Sequence, residues 1–211
     1  MSVIGELGQL LFPTRCYGCS TLGISICSSC RSEWHPHFYT TNVQGIQVHS
    51  AIIYSPTASR IILAAKERGL RGADQLIVDA IVHVLDKANF DTFNVRLVPI
   101  PSSAPNRRRR GRCFIPEICK QVSAITSIPL IHALTINRAV KDQSSLNAKD
   151  RLTNMRGAFS INTGTYPRGD LILIDDVVTT GATVSEAARA LNSRGFHVLA
   201  SVTACLAQPL R

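Results

Sequence analysis

An α/β fold built on a parallel sheet, with a small four-cysteine metal module ahead of it, is what this sequence predicts, and three observations predict it. Residues 171–174 (LILI) form an apolar run with no polar alternation, as expected of a strand buried on both faces of a parallel sheet. Two acids and a Thr/Gly turn follow, then a helix, an arrangement that open α/β sheets use at their ligand-binding edge. Near the start of the chain, Cys16, Cys19, Cys27 and Cys30 stand as two CxxC pairs. With 211 residues and 45% hydrophobic content, the chain can bury one good core plus a small appendage.

In chain order, residues 1–12 read as a short helix with Ile4, Leu7, Leu10 and Leu11 on one face. Glu6 and the absence of a basic residue before Arg15 make them a poor signal peptide. No apolar run approaches the roughly 18 residues that span a bilayer. The cysteine pairs fit tight turns, helped by Gly18 and by Ser28 and Ser29, so that four thiolates meet around Zn²⁺. Such a zinc is structural, because four cysteines leave no open coordination position. The rival, two disulfides, suits an exported chain, and a reducing cytoplasm is expected here. His35 and His37 read as exposed histidines before spare ligands, and Cys113, Cys119 and Cys205 as inert thiols. Aromatic Tyr17, Trp34, Phe38 and Tyr39 cluster beside the module, where a core role outweighs a base-stacking platform.

A strand is expected over 47–54 and a helix over 57–66, the latter with Ile61, Ile62 and Ala65 at helical spacing. Gly69 and Gly72 mark a break before an amphipathic helix over 74–88. Residues 95–100 read as a strand that Pro99 and Pro101 terminate. A loop over 101–106 and the arginines at 107–110 come next, then a helix over 115–124 and a strand over 129–134. Residues 136–150 are polar and suit a lid. The Thr/Gly turn opens a helix over 184–192, Gly195 ends it, and 197–206 is the last strand. No internal repeat is visible.

The chemistry concentrates at the turn. Thr179, Thr180, Gly181, Ala182 and Thr183 are small and hydroxyl-rich, and at a helix start their free N–H groups and the helix dipole converge on one point, which suits a phosphate. Asp175 and Asp176 beside it can accept from vicinal ribose hydroxyls and help hold hydrated Mg²⁺. No Walker lysine and no GxGxxG fingerprint is present, so a sugar phosphate fits better than a nucleoside triphosphate or a dinucleotide. The plainer alternative is a capped helix with Thr180 or Thr183 as N-cap. The amides of the Pro101 loop, with the hydroxyls of Ser102 and Ser103, offer a second anion site. The net charge of +9 is uneven: residues 106–151 hold ten basic side chains against three acidic ones. That segment suits a polyanion, whether pyrophosphate or nucleic acid.

These residues together resemble the ComF family of competence proteins, a zinc-knuckle module fused to a domain of the type I phosphoribosyltransferase fold. The resemblance rests on the four cysteines, on Tyr54 with Arg60 and Lys66, and on VPIP at 98–101 followed by the arginines and Gly111. It rests also on Arg138, Gln143, Leu146, Arg151 and Asn154 before GAF, and on DDVVTTGAT at 175–183. It implies a zinc module over 1–45 and a phosphoribosyltransferase-like domain over 46–211. It implies a site for phosphoribosyl pyrophosphate (PRPP) with Mg²⁺. Asp175 and Asp176 would take the ribose hydroxyls, residues 179–183 the 5′-phosphate, and Pro101, Ser102, Ser103, Arg138 and Gln143 the pyrophosphate. It also implies a cytoplasmic protein associated with the DNA-uptake machinery of natural transformation and with single-stranded DNA. Two functions compete: phosphoribosyl transfer to an unassigned acceptor, for which no general base stands out, and a non-catalytic scaffold on single-stranded DNA or a PRPP sensor.

Overall fold

A computed structural model describes residues 13–136 and 155–207. The expected N-terminal helix and the residues Arg138, Gln143, Leu146, Arg151 and Asn154 lie outside the described residues. The first cysteine pair sits in a loop closed by an antiparallel bridge between Arg15 and Leu22. The second opens a short helix, α1 (Ser28–Glu33), where only a turn was expected. Trp34 follows, 3% exposed, and its indole N–H donates to the Leu76 carbonyl at 3.2 Å, fastening the module to the main body. This is the core role for the tryptophan, not the stacking platform.

A hairpin comes next, β1 (Tyr39–Val43) antiparallel to β2 (Ile46–Ile53). Gln44 and Gly45 form its two-residue turn, both at positive φ (50° and 87°), as a turn matching the strand twist requires. Helix α2 (Pro56–Lys66) starts on Ser55, whose side chain accepts from the Ala58 N–H, with Pro56 in the first turn. Helix α3 (Arg71–Ala88) follows, then β3 (Val95–Pro99), α4 (Ala104–Arg110) and α5 (Phe114–Thr126). After β4 (Leu134–Ile136) and β5 (Phe159–Ile161) come β6 (Asp170–Val178), α6 (Ala182–Asn192) and β7 (Val198–Leu206).

The main sheet has the order β1-β2-β7-β6-β3, and all its pairs are parallel except β1 with β2. Its central strands are buried on both faces, which explains the unbroken apolar run at 171–174. Ile172 and Ile174 pack with Ile61 of α2, Ile77 and Ile81 of α3, and Ile118 of α5. Leu171 and Leu173 pack on the opposite side with Val184, Ala187 and Leu191 of α6 and Phe159 of β5. Two-sided burial thus replaces the alternation of a half-exposed strand. The α/β architecture with a parallel core, flanking helices and a cysteine module is the one expected.

Several elements differ from expectation for identifiable reasons. The arginine run is helical: Pro105 suits a first turn, arginine is a good helix former, and Gly111 at φ 67° ends the helix. Gly72 lies inside α3, not in a break; a Cβ there would collide with the Tyr17 hydroxyl, so the glycine permits a close approach. The strand expected over 129–134 is reduced to one bridge, Leu97 with Leu130. Its apolar residues answer to burial instead, Ile131 and Ala133 lying in the α6-side core. The pairing is made further on, between β4 and the unanticipated β5, in a separate two-stranded sheet.

Candidate functional site

The four Sγ atoms of Cys16, Cys19, Cys27 and Cys30 all lie within 4.8 Å of one another and could hold a metal ion. Cys19 and Cys27 are 3.6 Å apart, close to the roughly 3.8 Å edge of a tetrahedron with metal–sulfur bonds of about 2.3 Å, and far from a disulfide bond. Burial pushes the Cys16 thiol up, but the N–H groups of Cys27, Cys19 and Gly18 outweigh it and bring it down to about 6, favouring the ligating thiolate. Gly18 is required by the same packing, since a Cβ there would lie 2.6 Å from Cys30 Sγ. Among the described residues, neither His35 nor His37 joins this cluster.

The second site lies at the carboxyl edge of the sheet. Strands β3 and β6 are parallel neighbours with Pro99 opposite Ile174, and the Ile100 N–H donates to the Ile174 carbonyl at 3.0 Å. The 101–103 loop therefore leaves the sheet beside Asp175. A cleft of about 630 Å³ opens there, lined by Pro101, Ser102, Ser103, Asp175, Asp176, Thr179 and Thr183. Thr180, Gly181 and Ala182 form the turn between the last two without lining the cleft. Helix α2 supplies one wall with Ser59, Ile62, Leu63 and Lys66, at the i, i+3, i+4, i+7 spacing of one helical face. Asn106, Arg109 and Arg110 of α4 close another side.

Both acids are part of β6 itself, which runs four residues past the expected end: Asp175 is in register with Thr203 and Val178 with Leu206. The sequence places them after the strand, because the apolar run ends at residue 174 and the carboxyl ends of such strands are where open α/β sheets bind ligands. What admits them is Lys66. Its ammonium donates to Asp176 Oδ2 at 2.5 Å, and the two side chains are 24% and 6% exposed. The Asp176 N–H donates to Asp175 Oδ1 at 2.9 Å.

The pair is consequently split. Burial drives Asp175 well above the ordinary carboxylate range, and the Asp176 charge adds to the rise. Burial also acts to raise Asp176, but Lys66 offsets it and holds that carboxyl below its usual value. Lys66 itself is displaced upward, the charges of Asp176 and Asp175 overcoming the desolvation that acts against it. Next along the chain, Glu67 accepts from Arg110 Nε at 2.8 Å and from Arg109 Nη2 at 3.2 Å, which ties α4 to the end of α2. In the sequence Lys66 is marked by its helical spacing with Arg60 and by the family resemblance, without being placed in the site, and Glu67 is missed. The signal that could have found this wall is the 59, 62, 63, 66 spacing of one helical face, whereas Ile61, Ile62 and Ala65 are the positions that mark the helix in the sequence.

The turn after β6 has the geometry of an anion cradle. Gly181 is the N-cap of α6 at φ 73°, where a Cβ would collide with the Val43 side chain, so only glycine fits. No side chain caps the first turn through this residue. The Ala182 N–H has only a long contact to Thr180 Oγ1, at 3.4 Å. Neither threonine is the strong cap that the plainer reading required. The first full turn of α6 thus offers N–H groups and its dipole beside Thr179 and Thr183.

No family model matches the chain. Over 106 residues it is 33% identical to Competence protein F of Haemophilus influenzae, a match covering 48% of this chain and 45% of that one. Over 101 residues it is 33% identical to DNA utilization protein YhgH of Escherichia coli K12, covering 47% of this chain and 44% of its relative. The chain has homologues among these proteins, as its motifs led us to expect, and spans about half the length of the curated relatives it matches. Among solved structures, it is similar to an adenine phosphoribosyltransferase at 14% identity, covering 87% of this chain and 92% of that one with a TM-score of 0.47. It is also similar to orotate phosphoribosyltransferase from Aeropyrum pernix, at 12% identity over 82% and 77% of the two chains, with a TM-score of 0.40. Among the described residues no helix is long and apolar enough to cross a membrane.

Proposed function

We propose that this chain is a PRPP-binding, phosphoribosyltransferase-like protein of the ComF type that acts in DNA uptake from the cytoplasmic side. The observation that carries the reading is the convergence, in one cleft, of the β6 acids, the glycine-capped N-terminus of α6 and the 101–103 loop beside arginines. In this reading the amides at residues 181–184 and the hydroxyls of Thr179 and Thr183 grip the 5′-phosphate. Asp175 accepts from the ribose hydroxyls, and Asp176 shares that task with Lys66. The 101–103 loop, Arg109 and Arg110 face the pyrophosphate, with Arg138 and Gln143 completing that side. Mg²⁺ bound with PRPP would supply further neutralisation of the pyrophosphate charge. The names of the homologues support the place in DNA uptake. Residues 1–45 form the zinc-binding module, with Zn²⁺ on the four cysteines, and 46–211 the PRPP-binding domain.

If the chain is an enzyme, the bond from the ribose anomeric carbon to the pyrophosphate oxygen breaks as the acceptor's bond to that carbon forms. The electron pair leaves on pyrophosphate and the acceptor's proton passes to solvent or to pyrophosphate. The protein's part is to hold the ribose by its two ends and to stabilise the leaving anion. A second reading, a non-catalytic single-stranded DNA scaffold or PRPP sensor, is favoured by Arg107 and Arg108. They stand exposed on α4 and do not line the cleft, so they suit a longer polyanion. Incubation with labelled PRPP, Mg²⁺ and candidate acceptors separates the two. Pyrophosphate release abolished by Asp175→Asn supports the transferase. Salt-sensitive binding of single-stranded DNA that survives the same substitution, without turnover, supports the scaffold. Absence of PRPP binding in calorimetry removes the ribose phosphate reading.

A further inference from the structure

Three of the chain's six histidines stand together on a face that takes no part in the cleft. His35 and His37 flank Pro36 in the connector that leaves α1, and their ring centroids are 5.3 Å apart at an interplanar angle of 57°. His83 comes from the main body, on α3, near enough for charge on His35 or His37 to act on it. The connector is carried there by its own contacts. Trp34 docks on Leu76, and His83 lies two turns further along the same face of α3. Those two turns rise about 10 Å, which is also about the reach of the three residues from Trp34 to His37. The His37 N–H then donates to the Ala51 carbonyl at 2.8 Å, which fixes the far end of the connector on β2.

We propose that His35, His37 and His83 form a second metal site, for a borderline divalent cation such as Ni²⁺ or Zn²⁺, that clips the cysteine module to α3. Imidazole nitrogen is a donor that suits such cations. A metal–nitrogen bond of about 2.0 Å puts an imidazole centroid about 3.2 Å from the ion, so two rings at a tetrahedral angle have centroids about 5.2 Å apart. The His35–His37 separation of 5.3 Å matches it. Among the described residues, only the four cysteines already bring three or more donor atoms together. His83 therefore has to turn toward the pair, a rotamer change open to a half-buried side chain on a helix surface. Burial, then Lys87 and the two other histidines, hold the His83 imidazole below its usual value against the opposing charge of Asp86, which favours the neutral, ligating form. Exposed Asp86, one turn beyond His83, adds a carboxylate to the same face. His49 is committed elsewhere: its Nδ1 meets Thr40 Oγ1 at 3.1 Å, and its ring stacks on Phe38 and meets Phe90 edge-on.

Titration calorimetry of the untagged full chain with Ni²⁺, after loading with one equivalent of Zn²⁺ to fill the cysteines, tests this. One Ni²⁺ is expected to bind per chain. His37→Ala and His83→Ala should each weaken that binding by about 10-fold or more, since even the outer partners of a metal site are worth that much. His197→Ala, whose ring pairs with Asp170 instead, should leave it unchanged. At about a hundredfold excess over its dissociation constant, Ni²⁺ should raise Tm by about 5–10 °C, and His83→Ala should remove the rise. All three substituted rings are at least partly exposed, so the variants are expected to fold, and unchanged Trp34 emission before Ni²⁺ is added checks it. Binding lost in His37→Ala but kept in His83→Ala would leave a local histidine pair and overturn the clip. Ni²⁺ held equally by every variant, or not held at all, would overturn the site itself.

Discussion

The split between the two β6 acids makes opposite substitutions distinguishable. At 2.5 Å, the attraction between Lys66 and Asp176 is about 6–7 kcal/mol for an effective dielectric of about 20. Most of it is returned as desolvation, because the side chains are only 24% and 6% exposed. Removing one partner of a buried pair costs about 3–5 kcal/mol. Lys66 retains some access to cleft water, which brings the expected cost of Asp176→Asn to about 2–3 kcal/mol. For a chain of this size that is a fall in Tm of about 4–12 °C. Asp175→Asn keeps an acceptor for the Asp176 N–H and removes a carboxyl that burial makes unfavourable to ionise. It should therefore leave stability at pH 8 unchanged or raised by about 1 kcal/mol. The pH dependences run oppositely. Asp176, lowered in the folded state, stabilises above its unfolded pKa, and this is lost as the pH falls through the folded value. Asp175, raised in the folded state, contributes stability at low pH that is lost as the pH rises through its folded value. Urea or calorimetric unfolding between pH 3 and pH 8 checks both signs. Equal destabilisation by the two substitutions, or a cost of Asp176→Asn that does not shrink toward pH 3, would refute the assignment.

The metal module offers an optical readout. If the four cysteines hold the zinc proposed for them, a chelator or Cys30→Ser should release about one zinc per chain and red-shift the fluorescence of Trp34, the only tryptophan, as its buried ring and its bond to Leu76 are disturbed. An unchanged spectrum after metal loss would show that the module does not need the ion to stay docked. Gly181→Ala combines a left-handed backbone with a Cβ against Val43. It should cost about 2 kcal/mol or more and abolish ribose 5-phosphate binding, both measurable in one denaturation and titration series. Arg112 bridges Asp74 at 2.9 Å and Glu117 at 2.7 Å, and Asp74 is almost fully buried. Arg112→Met should destabilise by about 3 kcal/mol in urea unfolding, and an additional Asp74→Leu should recover part of that loss.

What could be read from the sequence was whatever a local pattern encodes. The 171–174 strand, the helix of residues 74–88 and the four-cysteine module each carry their signal within a few residues, and each appears in the structure. The proximity of the 101–103 loop to Asp175 was legible as well, because parallel neighbours in an α/β sheet bring their carboxyl ends together. What escaped depends on partners distant in the chain. Lys66 and Asp176 are 110 residues apart, and Arg110 and Glu67 are 43 apart. The apolar run stops at residue 174, and nothing local shows that Lys66 lets the strand continue through two acids. The short β5 escaped for the same reason, since Phe159 to Ile161 is given strand geometry by β4 and by packing against α6.

The charges lining the cleft also constrain the ligand. Its acids are Glu67, Asp175 and Asp176, and its bases are Lys66, Arg109 and Arg110. Glu67 already takes both guanidinium groups, and Asp176 takes the ammonium. With the remaining carboxyl, Asp175, raised toward its uncharged form, the described cleft carries about one net positive charge, and each of its cations is already ion-paired. A pyrophosphate carrying several negative charges would find little uncommitted positive charge there. Either it arrives with a cation of its own, as PRPP does when it carries magnesium, or it draws Arg109 and Arg110 away from Glu67. The two routes differ in an observable. In the first, Glu67→Gln leaves ligand affinity nearly unchanged and omission of magnesium removes binding. In the second, Glu67→Gln frees both arginines and tightens binding without magnesium, because the competing carboxylate is gone.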